Sequence, residues 1–172
     1  MANLMGTVLG DGRYRIDSKL GSGGQGTVYK GMHLALNMPV AIKVLPISAS
    51  EDRTLRTRFV REARRAASLQ HPHIVHVFDY AYEEGRYYIV SEFIEGTSLK
   101  KLIRATGGPI PVDKALRYAR EIGEALQFAH DREIIHRDIK PANILIDSQT
   151  KRAALCDFGL ARMIEGDVLE VT

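Results

Sequence analysis

Ile134-Ile-His-Arg-Asp-Ile-Lys-Pro-Ala-Asn-Ile-Leu-Ile146 is the stretch on which the reading of this chain turns. Two short apolar runs, Ile134-Ile135 and Ile144-Leu145-Ile146, bracket His136, Arg137, Asp138, Lys140 and Asn143, so buried structure on both sides would present a charged centre. Pro141 fixes its own φ and disfavours the helical region for Lys140, which argues against one continuous helix and leaves a loop to aim the polar groups. Asp138 can accept a proton, Lys140 can neutralise developing negative charge, and Asn143 offers an amide oxygen to a hard cation such as magnesium. Together these suit phosphoryl transfer. A charged surface loop between two strands is the plainer alternative, and the rest of the chain decides between them.

Upstream, Tyr14, Ile16, Ser18 and Leu20 alternate with polar neighbours at the period of a half-buried strand. Gly21-Ser22-Gly23-Gly24-Gln25-Gly26 follows, with Gly21, Gly23 and Gly26 spaced so that backbone N–H groups could approach a polyphosphate. In a dinucleotide-binding fold this pattern opens a helix, but Thr27-Val28-Tyr29 is β-branched and aromatic and predicts a second strand. No Gly-Lys-Ser/Thr ending is present, which sets aside a P-loop. Pro39-Val-Ala-Ile-Lys-Val-Leu45 is an apolar run with one charge, Lys43, which either snorkels to the surface or has an anionic partner. Ser48 or Ser50, with Glu51 in the first turn, predicts a helix over about 51–69. Leu55, Phe59, Ala66 and Leu69 form its apolar stripe, and Glu62 falls on that stripe, where a carboxylate is costly unless paired. Arg53, Arg56, Arg58, Arg61, Arg64 and Arg65 mostly occupy the other faces, as a solvated surface or a contact for phosphate.

His71-Pro72-His73 breaks the helix. A strand pair is predicted over Ile74–Tyr80 and Tyr87–Val90, turning at Glu83-Glu84-Gly85, before the connector Ser91-Glu-Phe-Ile-Glu-Gly96. Thr97 or Ser98 caps a short helix ending near Arg104, and a longer one runs from Pro111 to about His130. Ala115, Ala119, Ile122, Leu126 and Ala129 form one stripe of the longer helix, with Leu116, Tyr118 and Ala125 beside it, a face broad enough to expect cover on more than one side. Ala153-Ala-Leu-Cys156 reads as a strand into Asp157-Phe-Gly159. Cys156 reads as a buried, inert thiol.

His136-Arg-Asp-Ile-Lys-Pro-Ala-Asn143 resembles the catalytic loop of eukaryotic-type protein kinases, in the form typical of serine/threonine enzymes, and the glycine loop, Val40-Ala-Ile-Lys43, Glu62 and Asp157-Phe-Gly159 complete that family's series in order. The resemblance implies an α+β, protein-kinase-like fold. A flexible lead-in over 1–13 would precede a small lobe of antiparallel sheet plus one helix (about 14–93), a hinge (about 92–97) and an incomplete, mainly helical large lobe (98–172). It further implies ATP and Mg²⁺, with transfer of the γ-phosphate to a protein Ser or Thr hydroxyl. Leu20 would contact the nucleotide, and the glycine loop from Gly21 to Gly26, including Ser22, Gly24 and Gln25, would cover the phosphates. Lys43 would hold them and pair with Glu62. Val28, Ala41 and Leu145 would sandwich the adenine, and the backbones of Glu92 and Ile94 would bond it. Ser91 would stand at the back of that pocket, where a small side chain leaves unusual room. Asn143 and Asp157 would bind the metal, Asp138 would take the hydroxyl proton, and Lys140 would stabilise the transferred group. Arg137, as a buried cation, would imply control by activation-loop phosphorylation. The segment from Arg61 to Leu69 looks bacterial.

At 172 residues, 45% hydrophobic and a net charge of +3, the chain can bury a core and lacks the basic tracts interleaved with aromatics of a nucleic-acid groove. One cysteine excludes an internal disulfide and fits a reducing compartment. No stretch has the length or apolarity of a leader or membrane span, so a cytoplasmic piece is expected, of a protein that could be anchored elsewhere. Kinase domains continue past Asp-Phe-Gly with an activation loop, an Ala-Pro-Glu-like anchor and further helices, so this chain is expected to stop inside that loop. The helix at 111–130 would then lose a neighbour and could take a kinase partner or a second copy. A truncated serine/threonine kinase is the preferred reading; a non-catalytic nucleotide-binding or interaction module docking on another kinase is the alternative.

Overall fold

The computed structural model describes residues 4–24, 26–45 and 53–158, with the side chains of 53–56 and 58 outside that description. The expectations at Gln25, Ser48, Ser50, Glu51, Leu55 and Gly159, and for the side chains of Arg53, Arg56 and Arg58, lie outside the described residues.

Period-two patterning in the first half of the chain becomes a six-stranded antiparallel sheet. Its strands are β1 (Val8–Leu9), β2 (Tyr14–Gly23), β3 (Gly26–His33), β4 (Met38–Val44), β5 (Val77–Glu83) and β6 (Arg86–Glu92), in spatial order β1-β2-β3-β4-β6-β5. Between β5 and β6 lies a two-residue turn in which Glu84 and Gly85 both have positive φ, at 49° and 77°. That geometry matches the right-handed twist of the strands it joins. The sheet sorts its side chains by parity. Val40, Ile42 and Val44 of β4 face one way with Tyr88 and Val90 of β6, while Tyr87 and Ile89 face the other and pack with Leu45 under helix α1 (Arg53–Ala67) through Phe59 and Ala63. Lys43, paired in register with Ile89, is thereby placed on the helix side.

Residues 4–13, expected as a loose lead-in, are built into the small lobe. Leu4 and Leu9 are buried against Tyr14, Ile16, Val40 and Tyr88, covering the sheet face away from α1. Polar contacts fix this segment: Gly10 N donates to Glu83 Oε2 at 2.7 Å, Arg13 pairs with Asp79 at 2.7 Å, and Tyr14 Oη donates to Asp79 Oδ2 at 3.0 Å. Burial and that hydrogen bond push the Tyr14 phenol up to about 12.

Downstream come β7 (Gly96–Ser98), α2 (Leu99–Ala105), α3 (Val112–His130), a 3₁₀ turn (Pro141–Asn143), β8 (Ile144–Asp147) and β9 (Ala153–Leu155), with β7-β8-β9 forming a second small sheet. Ser98 caps α2 by accepting from Lys101 N. The core of this half gathers Leu69, Ile74, Tyr118, Ile122, Ala125, Ile144, Leu155 and Phe158. Along α3 the buried face is Tyr118, Glu121, Ile122, Ala125 and Ala129, whereas Val112 and Leu116 are 73% and 67% exposed and Ala119 is exposed too. The apolar face is therefore narrower on the buried side than its sequence suggests. Among the described residues no helix is long and apolar enough to cross a membrane.

Gly96 is fixed by contact. A Cβ there would lie 2.0 Å from the Ile146 carbonyl oxygen, so Gly96→Ala must push β7 off β8. Overpacking of this kind costs about 1–3 kcal/mol. Gly123, in the middle of α3, faces open space, and Gly123→Ala should stabilise by about 0.5–1 kcal/mol through helix propensity. Thermal melts of the two variants should move in opposite directions.

Candidate active site

A cleft of about 370 Å³ opens between the two halves, with Leu20, Gly21, Val28, Ala41 and Lys43 on the sheet side, Ser91–Ile94 along the connector, and Leu145, Cys156 and Asp157 on the far side. Strand parity explains the sheet contribution. Ala41 and Lys43 alternate with core-facing Val40, Ile42 and Val44, and Val28 pairs in register with Lys43. Leu20 is 45% exposed, because register shifts between Ile16 and Ser18 and between Lys19 and Gly21 break the alternation that Tyr14 and Ile16 begin and leave Leu20 without a cross-strand partner in β3. Ser22, Gly23, Gly24 and Gly26 are outside the cleft lining, in the β2–β3 hairpin where Ser22 pairs with Thr27 and Gly23 with Gly26.

The glycines differ in what requires them. Gly26 has φ 119°, and an added Cβ would lie 2.3 Å from the Val44 carbonyl oxygen, so the protein itself demands glycine there. At Gly21, Gly23 and Gly24 a Cβ would meet open space. Nothing within the fold excludes a side chain at those three positions, which leaves room for another molecule to approach the backbone.

Below the cleft, the loop of residues 136–143 converges on Asp138. Its Oδ2 accepts from Lys140 Nζ at 2.7 Å and from Asn143 Nδ2 at 3.0 Å, while Asn143 Nδ2 also donates to the Asp138 carbonyl at 2.9 Å. The Asn143 amide nitrogen is thus committed, and its oxygen is the atom left to offer. His136 is fully buried and anchors the loop. Asp138 N donates to its Nδ1 at 3.2 Å, so the proton sits on Nε2, which donates to the Cys156 carbonyl at 2.8 Å. Its ring meets Phe158 edge-on at 4.6 Å. Burial holds the His136 imidazolium form down, below the ordinary histidine range. The two bracketing apolar runs differ: Ile144 and Ile146 are core, whereas of the first run Ile134 packs half-buried against that core and Ile135 is 57% exposed. Arg137, expected as a buried cation, is exposed with φ 67°, so burial gives it no need of an anion.

Lys43 Nζ meets Asp157 Oδ2 at 2.9 Å. Glu62, buried on α1 as its stripe position requires, receives Arg61 Nε at 3.2 Å and Arg65 at 3.5 Å. A Lys43–Glu62 ion pair is not among those formed by the described side chains. Glu62 is met instead by two arginines of its own helix, which offsets the cost of burying its charge. Ser91 lines both the cleft and a smaller cavity of about 50 Å³ behind it, bounded by Ala66, Ile74, Ile89 and Phe158. Cys156, expected as buried, is half-buried and lines the cleft; its Sγ donates to the Asn143 carbonyl, and desolvation pushes its thiol above the usual range.

The sequence profile of the protein kinase domain matches residues 14–171. The chain belongs to that family. Similar proteins include the serine/threonine-protein kinases PrkC of Bacillus subtilis, 41% identical over 161 residues, and PknF of Mycobacterium tuberculosis, 43% identical over 158 residues. These alignments cover 94% and 88% of this chain but 24% and 33% of the relatives, so the chain spans a quarter to a third of their length. Among solved structures, the PknI kinase domain of Mycobacterium tuberculosis superimposes with a TM-score of 0.83 at 33% identity, over 93% of this chain and 62% of that one. The bacterial look of the sequence accords with these relatives.

Two residues of this kinase-family site had no role in the sequence reading. Glu121 sits buried in α3 with its Oε2 accepting from Ala153 N at 2.6 Å, and so holds β9 by its backbone. Its one visible signal is Arg117 four residues earlier, whose Nε approaches Glu121 Oε1 at 3.7 Å. Arg152 bonds Glu92 and Pro72, and nothing in its local sequence announces this.

Proposed function

We propose that this chain carries the nucleotide-binding and phosphoryl-transfer machinery of a serine/threonine protein kinase, which uses Mg-ATP to phosphorylate a protein hydroxyl. The observation that carries the reading is the convergence of Lys140 and Asn143 on one carboxylate oxygen of Asp138, in the loop below a cleft that is lined by Lys43 and Asp157. A proton acceptor, a mobile cation and an amide oxygen beside a carboxylate are the parts that transfer requires.

The donors available to a metal suit magnesium. The Asn143 amide oxygen and the Asp157 carboxylate are hard oxygen ligands. When bound, the ion would neutralise charge on the phosphates. In this reading Lys43 steadies the α and β phosphates, with the Asp157 carboxylate beside it. Backbone groups of Glu92 and Ile94 orient the base between Ala41, Val28 and Leu145. Asp138 accepts the proton of the attacking hydroxyl as its oxygen bonds to the γ-phosphorus and the bond to the β-bridging oxygen breaks, leaving ADP. Lys140 balances charge on the phosphoryl oxygens in flight.

The test is a thermal melt of the chain with and without Mg-ATP. At a hundredfold excess over Kd, ligand linkage adds about 2.7 kcal/mol, or about 5–10 °C for a domain of this size. The shift should vanish in Lys43→Met. A Mg-ATP shift unaltered by that substitution, or no shift for the native chain, overturns the reading.

A further inference from the structure

Arg152 stands where three segments meet, immediately ahead of β9. One arm of its guanidinium donates to the Pro72 carbonyl, in the link between α1 and β5, and the other donates to Glu92 Oε1 at the end of β6. Both side chains of the ion pair are about three-quarters buried, at 25% and 29% exposure. Glu92 is held further by its backbone, whose N–H donates to the His76 carbonyl at 2.8 Å. β9 is stitched to the same link by Leu155 N to His73 O at 2.9 Å and Val75 N to Leu155 O at 3.0 Å. Five residues after Arg152 comes Asp157. The guanidinium is a planar fork whose two arms cannot move independently, so it fixes a distance as well as making two charge-assisted bonds.

Glu92 and Asp157 both line the cleft, and Arg152 does not. We infer that Arg152 is a positioning residue that sets the spacing between the connector backbone at Glu92 and the carboxylate of Asp157. The inference rests on the nucleotide reading above. A ligand that touches both ends of the cleft feels this spacing, whereas one that touches only the connector does not. A residue with a merely structural role would weaken both ligands together.

The experiment titrates the native chain, Arg152→Ala, Arg152→Lys and Glu92→Gln with adenosine and separately with Mg-ATP, recording a melt of each variant. For Arg152→Ala, which loses both bonds of the fork, Mg-ATP affinity should fall about tenfold, or about 1.4 kcal/mol. Adenosine affinity should stay within about twofold. Arg152→Lys, which can reach one acceptor but cannot fork, should recover part of the loss. Glu92→Gln is nearly isosteric and keeps an acceptor, so it stays folded if Arg152→Ala does not, and should show the same selective loss at smaller size. Equal weakening of both ligands, or none, overturns the spacing role while leaving the nucleotide reading intact. Failure of the native chain to bind either ligand removes both.

Discussion

Asp138→Asn should lower phosphoryl transfer by about 10³-fold in a transfer-competent kinase of this sequence, while Mg-ATP affinity stays within about twofold. The amide is nearly isosteric and keeps one oxygen to accept from Lys140 and Asn143, which now share Asp138 Oδ2 at 2.7 and 3.0 Å. What it loses is the ability to take a proton, and a positioned general base is worth about 10²–10⁴ in rate. The split between rate and affinity is the informative part. Asp138 lies outside the cleft lining, whereas Lys43 and Asp157 belong to it, so the substitution leaves the binding contacts of the cleft in place. Initial rates of phosphate incorporation into a Ser/Thr peptide, set beside calorimetric titration with Mg-ATP, read the two quantities separately. Transfer at the native rate would remove Asp138 from the role of base.

His136→Ala should destabilise the fold by about 3 kcal/mol, lowering the melting temperature by about 6–12 °C. The side chain is fully buried, fills the space against Phe158, and satisfies both the Asp138 N–H and the Cys156 carbonyl. Truncation leaves a cavity and two unpaired backbone groups in one step. The same burial gives a pH signature. The folded-state pKa is held below the unfolded value near 6.5, so between the two the unfolded chain binds more protons than the folded one. Stability from the neutral ring is fully present above about pH 6.5 and is lost as pH falls from there through the folded pKa. His71, also depressed by partial burial, adds in the same direction. Melts from pH 8 to 5 should show this acid-side decline in the native chain and only the weaker His71 component in His136→Asn. An unchanged slope in that variant would show that His136 does not carry the linkage.

Much of the architecture was legible because it depends on local periodicity. Val40, Ile42 and Val44 announce a strand whose other face must carry Lys43, and Ser98 and Pro111 mark helix starts within a residue. Gly21, Lys43, Leu145 and Asp157, far apart along the chain, line one cleft. What local sequence could not convey is competition between partners. Glu62 reads as the partner of Lys43 until Arg61 and Arg65, its neighbours on the same helix, are seen to reach it. The buried role of Glu121 depends on β9 arriving with a free N–H, and β9 lies 32 residues away. The exposure of Ile135 and Arg137 follows from the path of a loop, which no periodicity describes.

The amino-terminal segment changes where this domain should be cut. The family profile begins at Tyr14, but Leu4, Leu9 and the Gly10–Glu83 hydrogen bond belong to the same closed core as Val40 and Tyr88. A shortened chain starting at Tyr14 would strip two buried leucines from the sheet and leave the Glu83 carboxylate short of a donor. Boundaries taken from alignment mark where relatives can be superimposed; for engineering this protein, the tolerable start lies ahead of Leu4.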